Sequence, residues 1–188
     1  MSDQESALVE LAALLGRNGI PYMVIGGLAN AVWGVPRATL DIDVTVWVDD
    51  AGIAPLIEQL SEEFRVLAGD PGAFVRETRV LPLESERGVR ADVVFGLLPF
   101  ERDAVERAVQ VPVAGARVRF CTAEDLILMK IISSRERDLA DAEGVALRRM
   151  ADLDLSYLEP RVQELSNLLG RPEIAERWEA WKSTAARR

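Results

Sequence analysis

Apolar residues recur along this chain with two different periods, and the change between them divides it into two regions. Residues 4–17 place Leu8, Leu11, Leu14 and Leu15 at helical spacing, and Asn18-Gly19 ends that helix with residues that tolerate a left-handed backbone. Tyr22–Ile25 reads as a short buried strand running into Gly26-Gly27, and residues 28–34 as a short helix stopped by Gly34 and Pro36. Leu40–Val48, rich in Val, Ile and Thr, is the strongest strand pattern. A helix over about 51–64 follows, then a loop at Gly69-Asp70-Pro71-Gly72. Strands are expected near 74–84 and 89–96, joined by a turn at Glu86-Arg87-Gly88; a helix is expected over 100–109 and a hairpin over 111–120 around Ala114-Gly115. From Thr122 onward the period is helical throughout, with helices expected over about 123–149, 156–169 and 172–185. Strands come first and helices last, so the pattern predicts an α+β core over residues 1–121 and a helical C-terminal region over 122–188, packed on that core.

Composition narrows the chemistry. The 188 residues carry 22 Lys and Arg against 31 Asp and Glu, a formal charge of −9. A surface this acidic repels phosphate backbones, which argues against broad nonspecific nucleic-acid binding but leaves room for a local basic patch. Cys121 is the single cysteine and there is no histidine. An internal disulfide, a Cys/His zinc site and Ser-His-Asp or Cys-His catalysis are thereby excluded. Carboxylates, Lys, Arg, hydroxyls and bound metal remain. The N-terminal MSDQES lacks the basic, then apolar, character of a secretion signal, and no stretch reaches the roughly 20 apolar residues needed to span a bilayer. A cytoplasmic protein with no membrane partner is expected.

The informative positions are Gly26-Gly27 and, a little later, Asp41-Ile42-Asp43. On a strand, Asp41 and Asp43 would share a face, with Cα atoms roughly 6.6 Å apart. Two ionised carboxylates at that spacing repel by on the order of 3 kcal/mol at an effective dielectric near 20, against less than about 1 kcal/mol in bulk water. If half-buried, they call for a divalent cation, and magnesium takes one or two carboxylates with phosphate oxygens and water. Gly26-Gly27 lies between a strand and a helix, where bare backbone and the first helical N–H groups suit a phosphate. Asp92 interrupts the apolar strand Val89–Phe95, and a carboxylate there is costly unless paired or metal-bound. Each feature alone also fits an ordinary solvated strand or turn.

Together, the diglycine, the run Arg37-Ala38-Thr39-Leu40-Asp41-Ile42-Asp43 and the later strand residue Asp92 resemble the polymerase-beta-like nucleotidyltransferase superfamily, most nearly its AbiE-type toxins. The segment Ala123–Lys130, followed by Arg135, Asp138 and Asp141, is similar to a helix of that group. The resemblance covers about residues 20–150. It implies a small mixed β-sheet flanked by helices, with Asp41, Asp43 and Asp92 as catalytic residues and ligands of Mg²⁺, two ions in all, Asp92 also serving as base. It implies Gly26, Gly27, Arg37 and Lys130 as nucleotide contacts. The reaction it implies moves a nucleoside monophosphate from a nucleoside triphosphate such as ATP to a hydroxyl acceptor, tRNA or protein, as a toxin with an antitoxin partner. An antibiotic-modifying nucleotidyltransferase is the alternative, and a catalytically inactive nucleotide-binding or interaction protein the reading from another class. Leu28 stands where many members carry serine, which removes one phosphate hydrogen bond.

Four further features have readings of their own. Thr122 suits a helix N-cap, with Asp125 at the third helical position. Lys130, Ser134, Asp138 and Asp141 fall on one helical stripe, the usual pattern of a solvated ion-pair face. Arg76, Arg79, Arg87 and Arg90 are the one candidate basic patch for guiding an acceptor such as tRNA. Trp178 and Trp181 are expected to pack rather than stack on bases.

Overall fold

A computed structural model describes residues 1–187, which fall into two compact units: residues 1–28 with 38–121, and residues 29–37 with the chain from 122 onward.

The first unit is built on a seven-stranded mixed sheet, ordered β3-β4-β5-β2-β1-β7-β6. Its leading helix α1 (Asp3–Arg17) starts at a reciprocal cap. The Glu5 N–H donates to the Ser2 hydroxyl, and the Ser2 N–H to the Glu5 carboxylate. Leu8, Leu11, Leu14 and Leu15 form its buried stripe. Strand β1 (Tyr22–Val24) lies between antiparallel β2 (Ile42–Val46) and parallel β7 (Ala116–Phe120). Strand β2 in turn pairs in parallel with β5 (Arg90–Phe95), with α3 (Asp50–Glu63) falling in the connection between them. The outer strands are β4 (Val80–Glu84), the two-residue β3 (Arg65–Val66) and β6 (Val109–Val113), with α5 (Pro99–Arg107) before the last hairpin. In the central pair Ile42, Val44 and Val46 face the core with Ala91, Val93 and Phe95, each at most 2% exposed. The intervening residues therefore point to the opposite face.

The expected strand near 74–84 is half correct. Residues Pro71–Thr78 form helix α4, and only Val80–Glu84 is strand. Asp70 caps that helix by accepting from the Ala73 N–H, and Pro71 occupies the first helical turn, where its missing N–H costs nothing.

The second unit is helical, comprising α6 (Ala123–Ile131), α7 (Glu136–Arg149), α8 (Leu155–Leu169) and α9 (Glu173–Ala185). Leu126, Ile131, Val145, Leu158, Ile174 and Trp178 are among its core residues, and Trp181 is buried with them. The single helix expected over 123–149 is two. Ser133 breaks it, its hydroxyl accepting from the Arg135 N–H and donating to Asp138, so that side chain and backbone compete for the same partners. Helix α2 (Gly26–Trp33) begins in the first unit and continues into the second. Among the described residues no helix is long and apolar enough to cross a membrane.

Candidate active site

Asp43 and Asp92 are register partners across the parallel β2–β5 pair. Their flanking residues Ile42, Val44, Ala91 and Val93 face the core, so both carboxylates emerge on the other face and are half-buried. On its second side Asp92 has Pro82 of β4 as register partner. A carboxylate between a proline and another acid loses hydration without gaining a donor. Burial accordingly pushes the Asp92 carboxyl above the ordinary aspartate range, the charge of Asp41 pushes it further, and Arg90 pulls partly back. Asp41 itself lies just before β2 and is exposed, so the expected strand from Leu40 begins two residues late.

The diglycine approaches this face from the β1 side. The ladder extends one residue past β1, with the Ile25 N–H donating to the Asp43 carbonyl at 2.9 Å, which brings the next residue level with the Asp43 side chain. Gly26 there has φ +65°, and a Cβ on it would run into the Asp43 carboxylate. Gly27 is equally confined, since a Cβ would collide with the side chain of Thr39. Thr39 is tied down at its carbonyl, which accepts from the Gln4 amide at 3.1 Å, and its hydroxyl donates to the Asp41 carbonyl at 3.4 Å. These two contacts set the approach of Asp41, and neither Gln4 nor Thr39 was among the expected site residues. Thr39 was readable within the Arg-x-Thr-x-Asp run; Gln4 gave no signal.

Five of the expected residues are thus assembled in the first unit: Gly26, Gly27, Asp41, Asp43 and Asp92. Among the described residues no three His, Cys, Asp or Glu side chains are gathered closely enough to hold a metal ion by themselves. The expected three-carboxylate cage is therefore not closed.

Arg37 and Lys130 fall in the second unit, joined by Asp141, which the sequence places on one stripe with Lys130 but not beside Arg37. Asp141 accepts from Arg37 Nε at 3.0 Å, Arg37 Nη2 at 2.8 Å and Lys130 Nζ at 2.9 Å. Lys130 also donates to Asp138 at 2.7 Å. Its side chain is 8% exposed and that of Asp141 is 6%, so the stripe expected to be a solvated face is a buried ion network between α6 and α7. Burial raises the carboxyls of Asp138 and Asp141, but donation from Lys130 to both and from Arg37 to Asp141 outweighs it and holds both below the usual range. Thr122 caps α6 as expected, accepting from the Asp125 N–H and donating to the Asp125 carboxylate, whose other oxygen accepts from the Tyr157 hydroxyl at 2.6 Å.

Of the candidate basic patch, Arg79 ends α4 and donates to the carbonyls of Phe95 and Gly96, Arg87 lies 3.7 Å from Asp3, and Arg90 stands within electrostatic reach of Asp92.

Residues 6–184 match the family model described as "Nucleotidyltransferase of unknown function (DUF6036)". No curated protein matches the chain by sequence. Solved structures of similar fold include an antigenic nucleotidyltransferase-like protein from Paracoccidioides brasiliensis, at 19% identity over 94% of this chain and 92% of that one, TM-score 0.53. Lincomycin-bound lincosamide antibiotic adenylyltransferase LnuA is similar at 14% identity over 77% and 96%, TM-score 0.51. The antibiotic-resistance factor ANT(2'')-Ia is similar at 16% identity over 98% of each chain, TM-score 0.55. At such identities the likeness is one of fold.

Proposed function

Since the chain belongs to the DUF6036 family of nucleotidyltransferases, we propose that it transfers a nucleoside monophosphate from a nucleoside triphosphate to a hydroxyl acceptor at the face formed by Asp41, Asp43 and Asp92. The observation that carries this reading is the register of Asp43 with Asp92, with Gly26 pressed against Asp43 on the opposite flank. Acids and bare backbone are thereby placed side by side, one suited to cations and the other to phosphate.

The residues fit magnesium. The Asp92 carboxyl, raised by burial and by the charge of Asp41, is relieved by a divalent cation, and an incomplete protein sphere suits an ion that keeps phosphate oxygens and water as ligands. Asp41, Asp43 and Asp92 would hold it, and when bound it supplies neutralisation of the charge on the triphosphate and the leaving pyrophosphate. The backbone N–H groups opening α2 at Gly26 and Gly27 bind the phosphates. Asp92, with its raised pKa, accepts the acceptor's hydroxyl proton, because a more basic carboxylate is a better general base. A phosphate reaching Arg37 or Lys130 would have to displace Asp141, so the triphosphate is assigned to the diglycine.

For the acceptor, the net charge of −9 and the dispersed arginines favour a small hydroxylated molecule over a polyanion, and the antibiotic adenylyltransferase fold-mates accord with that. The Arg37–Asp43 run and the Ala123–Lys130 helix favour the second reading, an AbiE-type toxin acting on tRNA or protein with an antitoxin partner. The experiment incubates the protein with Mg²⁺ and each α-labelled nucleoside triphosphate, offering total tRNA, a cell extract, lincomycin and tobramycin in turn. Label on a drug supports the first reading and label on tRNA or protein the second. No transfer together with no nucleotide binding refutes both and leaves an inactive homologue.

A further inference from the structure

Beyond the N-terminal ends of β2 and β5, Gln4, residues 39–41 and residues 88–90 enclose an open cavity of about 600 Å³. That is within the range of small-molecule sites. Its lining mixes two characters. Leu40 is 84% exposed and Val89 half-buried, giving an apolar floor, while Arg90 and the Gln4 amide supply polar groups at the rim. An almost fully exposed leucine directly before Asp41 does nothing for the core, yet it lies at the place where a substrate would rest.

The sheet order says which substrate. β1 and β5 flank β2 on opposite sides. Gly26 and Gly27 continue from β1, whereas the cavity is bounded by the residues that lead into β5. Phosphoryl transfer keeps the attacking and leaving oxygens roughly in line through phosphorus. With the leaving pyrophosphate at the diglycine, the attacking hydroxyl enters from the β5 side, where Asp41 and Arg90, both within electrostatic reach of Asp92, line the cavity.

We propose that this cavity is the acceptor subsite and that it takes a small hydroxylated molecule with one apolar face, which lies on Leu40 and Val89 while an ether, carbonyl or hydroxyl oxygen accepts from Arg90. This rests on the nucleotidyl-transfer reading. The acceptor oxygen bonds to the α-phosphorus as the bond to pyrophosphate breaks; pyrophosphate leaves with the electron pair and the hydroxyl proton passes to Asp92. Arg90, which donates only, matches an oxygen-rich ligand, and the Asp41 carboxylate that also lines the cavity is taken up by Mg²⁺ in the transfer reading and so does not draw a polycation.

The test uses the isotopically labelled full chain, with hexyl β-D-glucopyranoside as probe and tobramycin as the polycationic comparison. Amide shifts are followed by NMR with and without Mg²⁺ and a non-hydrolysable ATP analogue. Leu40→Trp, at an exposed position that tolerates replacement, fills the cavity. The glucoside should shift amides at 39–41 and 88–90, and Leu40→Trp should weaken that binding at least tenfold while leaving affinity for the ATP analogue within twofold. A glucoside that shifts no amide or shifts others instead, or a Leu40→Trp variant that binds it as tightly as the parent, overturns the subsite, as does tobramycin binding there equally well. If the parent protein binds no ATP analogue, the transfer reading itself fails; if it binds the analogue and the cavity stays silent, only the subsite fails.

Discussion

Gly26 and Asp43 touch so closely that the glycine's missing side chain is part of the site: a Cβ at position 26 would occupy the space of the Asp43 carboxylate. The backbone there is left-handed, at φ +65°, so the position is closed to other residues on two independent grounds. Gly26→Ala should cost about 1–3 kcal/mol from backbone strain and should displace Asp43. The expected outcome is a folded, less stable protein whose Mg²⁺-dependent affinity for nucleoside triphosphate falls at least tenfold, read by calorimetry. Gly88→Ala has the same positive φ with open space around it, and serves as the comparison in which stability drops but nucleotide affinity holds.

Asp92 is held against its own ionisation. Its folded-state pKa is raised, so the penalty is absent below the unfolded value of about 3.9 and present at neutral pH, where the carboxylate is ionised. Asp92→Asn removes that penalty. Transfer should fall by about 10²–10⁴-fold as the base is lost, while the melting temperature at pH 7 holds or rises. In the metal-free parent protein the Asp92 carboxyl should titrate above the ordinary aspartate range, read by side-chain carboxyl NMR, and Arg90→Ala should move that pKa higher. Equal titration curves for parent and Arg90→Ala would contradict the assignment.

How much of this was legible in the sequence follows from the range of each interaction. The alternation in residues 89–96 and in 42–46 names the outward-facing aspartates, because side-chain direction on a strand is local. That Asp43 and Asp92 are partners is not local, since parallel strands pair only through a long crossover. Residues 71–78 were misread because Phe74 and Val75 look strand-like, although Asp70 and Pro71 carry a helix start. Lys130 and Asp141 were placed on one continuous helix; the break at Ser133 turns the stripe into a contact between two helices.

Removing divalent metal should abolish transfer without unfolding the protein. Strands β2 and β5 are held by Ile42, Val44, Val46, Ala91, Val93 and Phe95, all buried and none dependent on an ion. Chelation should therefore leave the circular dichroism spectrum and melting temperature unchanged, and Mg²⁺ should restore activity. Asp43→Asn should blunt the restoration. Loss of the folded signal on chelation would point to a structural metal instead.

The ion network of the second unit gives the clearest pH signature. Lys130→Met leaves Asp138 with only the exposed Arg135 as cation and Asp141 with only the partly exposed Arg37, and breaking a buried pair costs up to about 3–5 kcal/mol. Three of the four tryptophans, Trp33, Trp178 and Trp181, belong to this unit and Trp47 to the other, so tryptophan fluorescence during denaturation in a Trp47→Phe background reports it. Both acids have folded-state pKa values below the unfolded one, so their contribution is complete above about pH 4 and is lost as pH falls through the folded values. Stability of the parent protein should show no loss from this network between neutral pH and about pH 5, then decline on acidification. The gap between parent and Lys130→Met should be widest near neutral pH and close as the acids protonate. A gap that stays constant down to strong acid would mean that the lysine stabilises by packing its alkyl stem rather than by holding the two carboxylates.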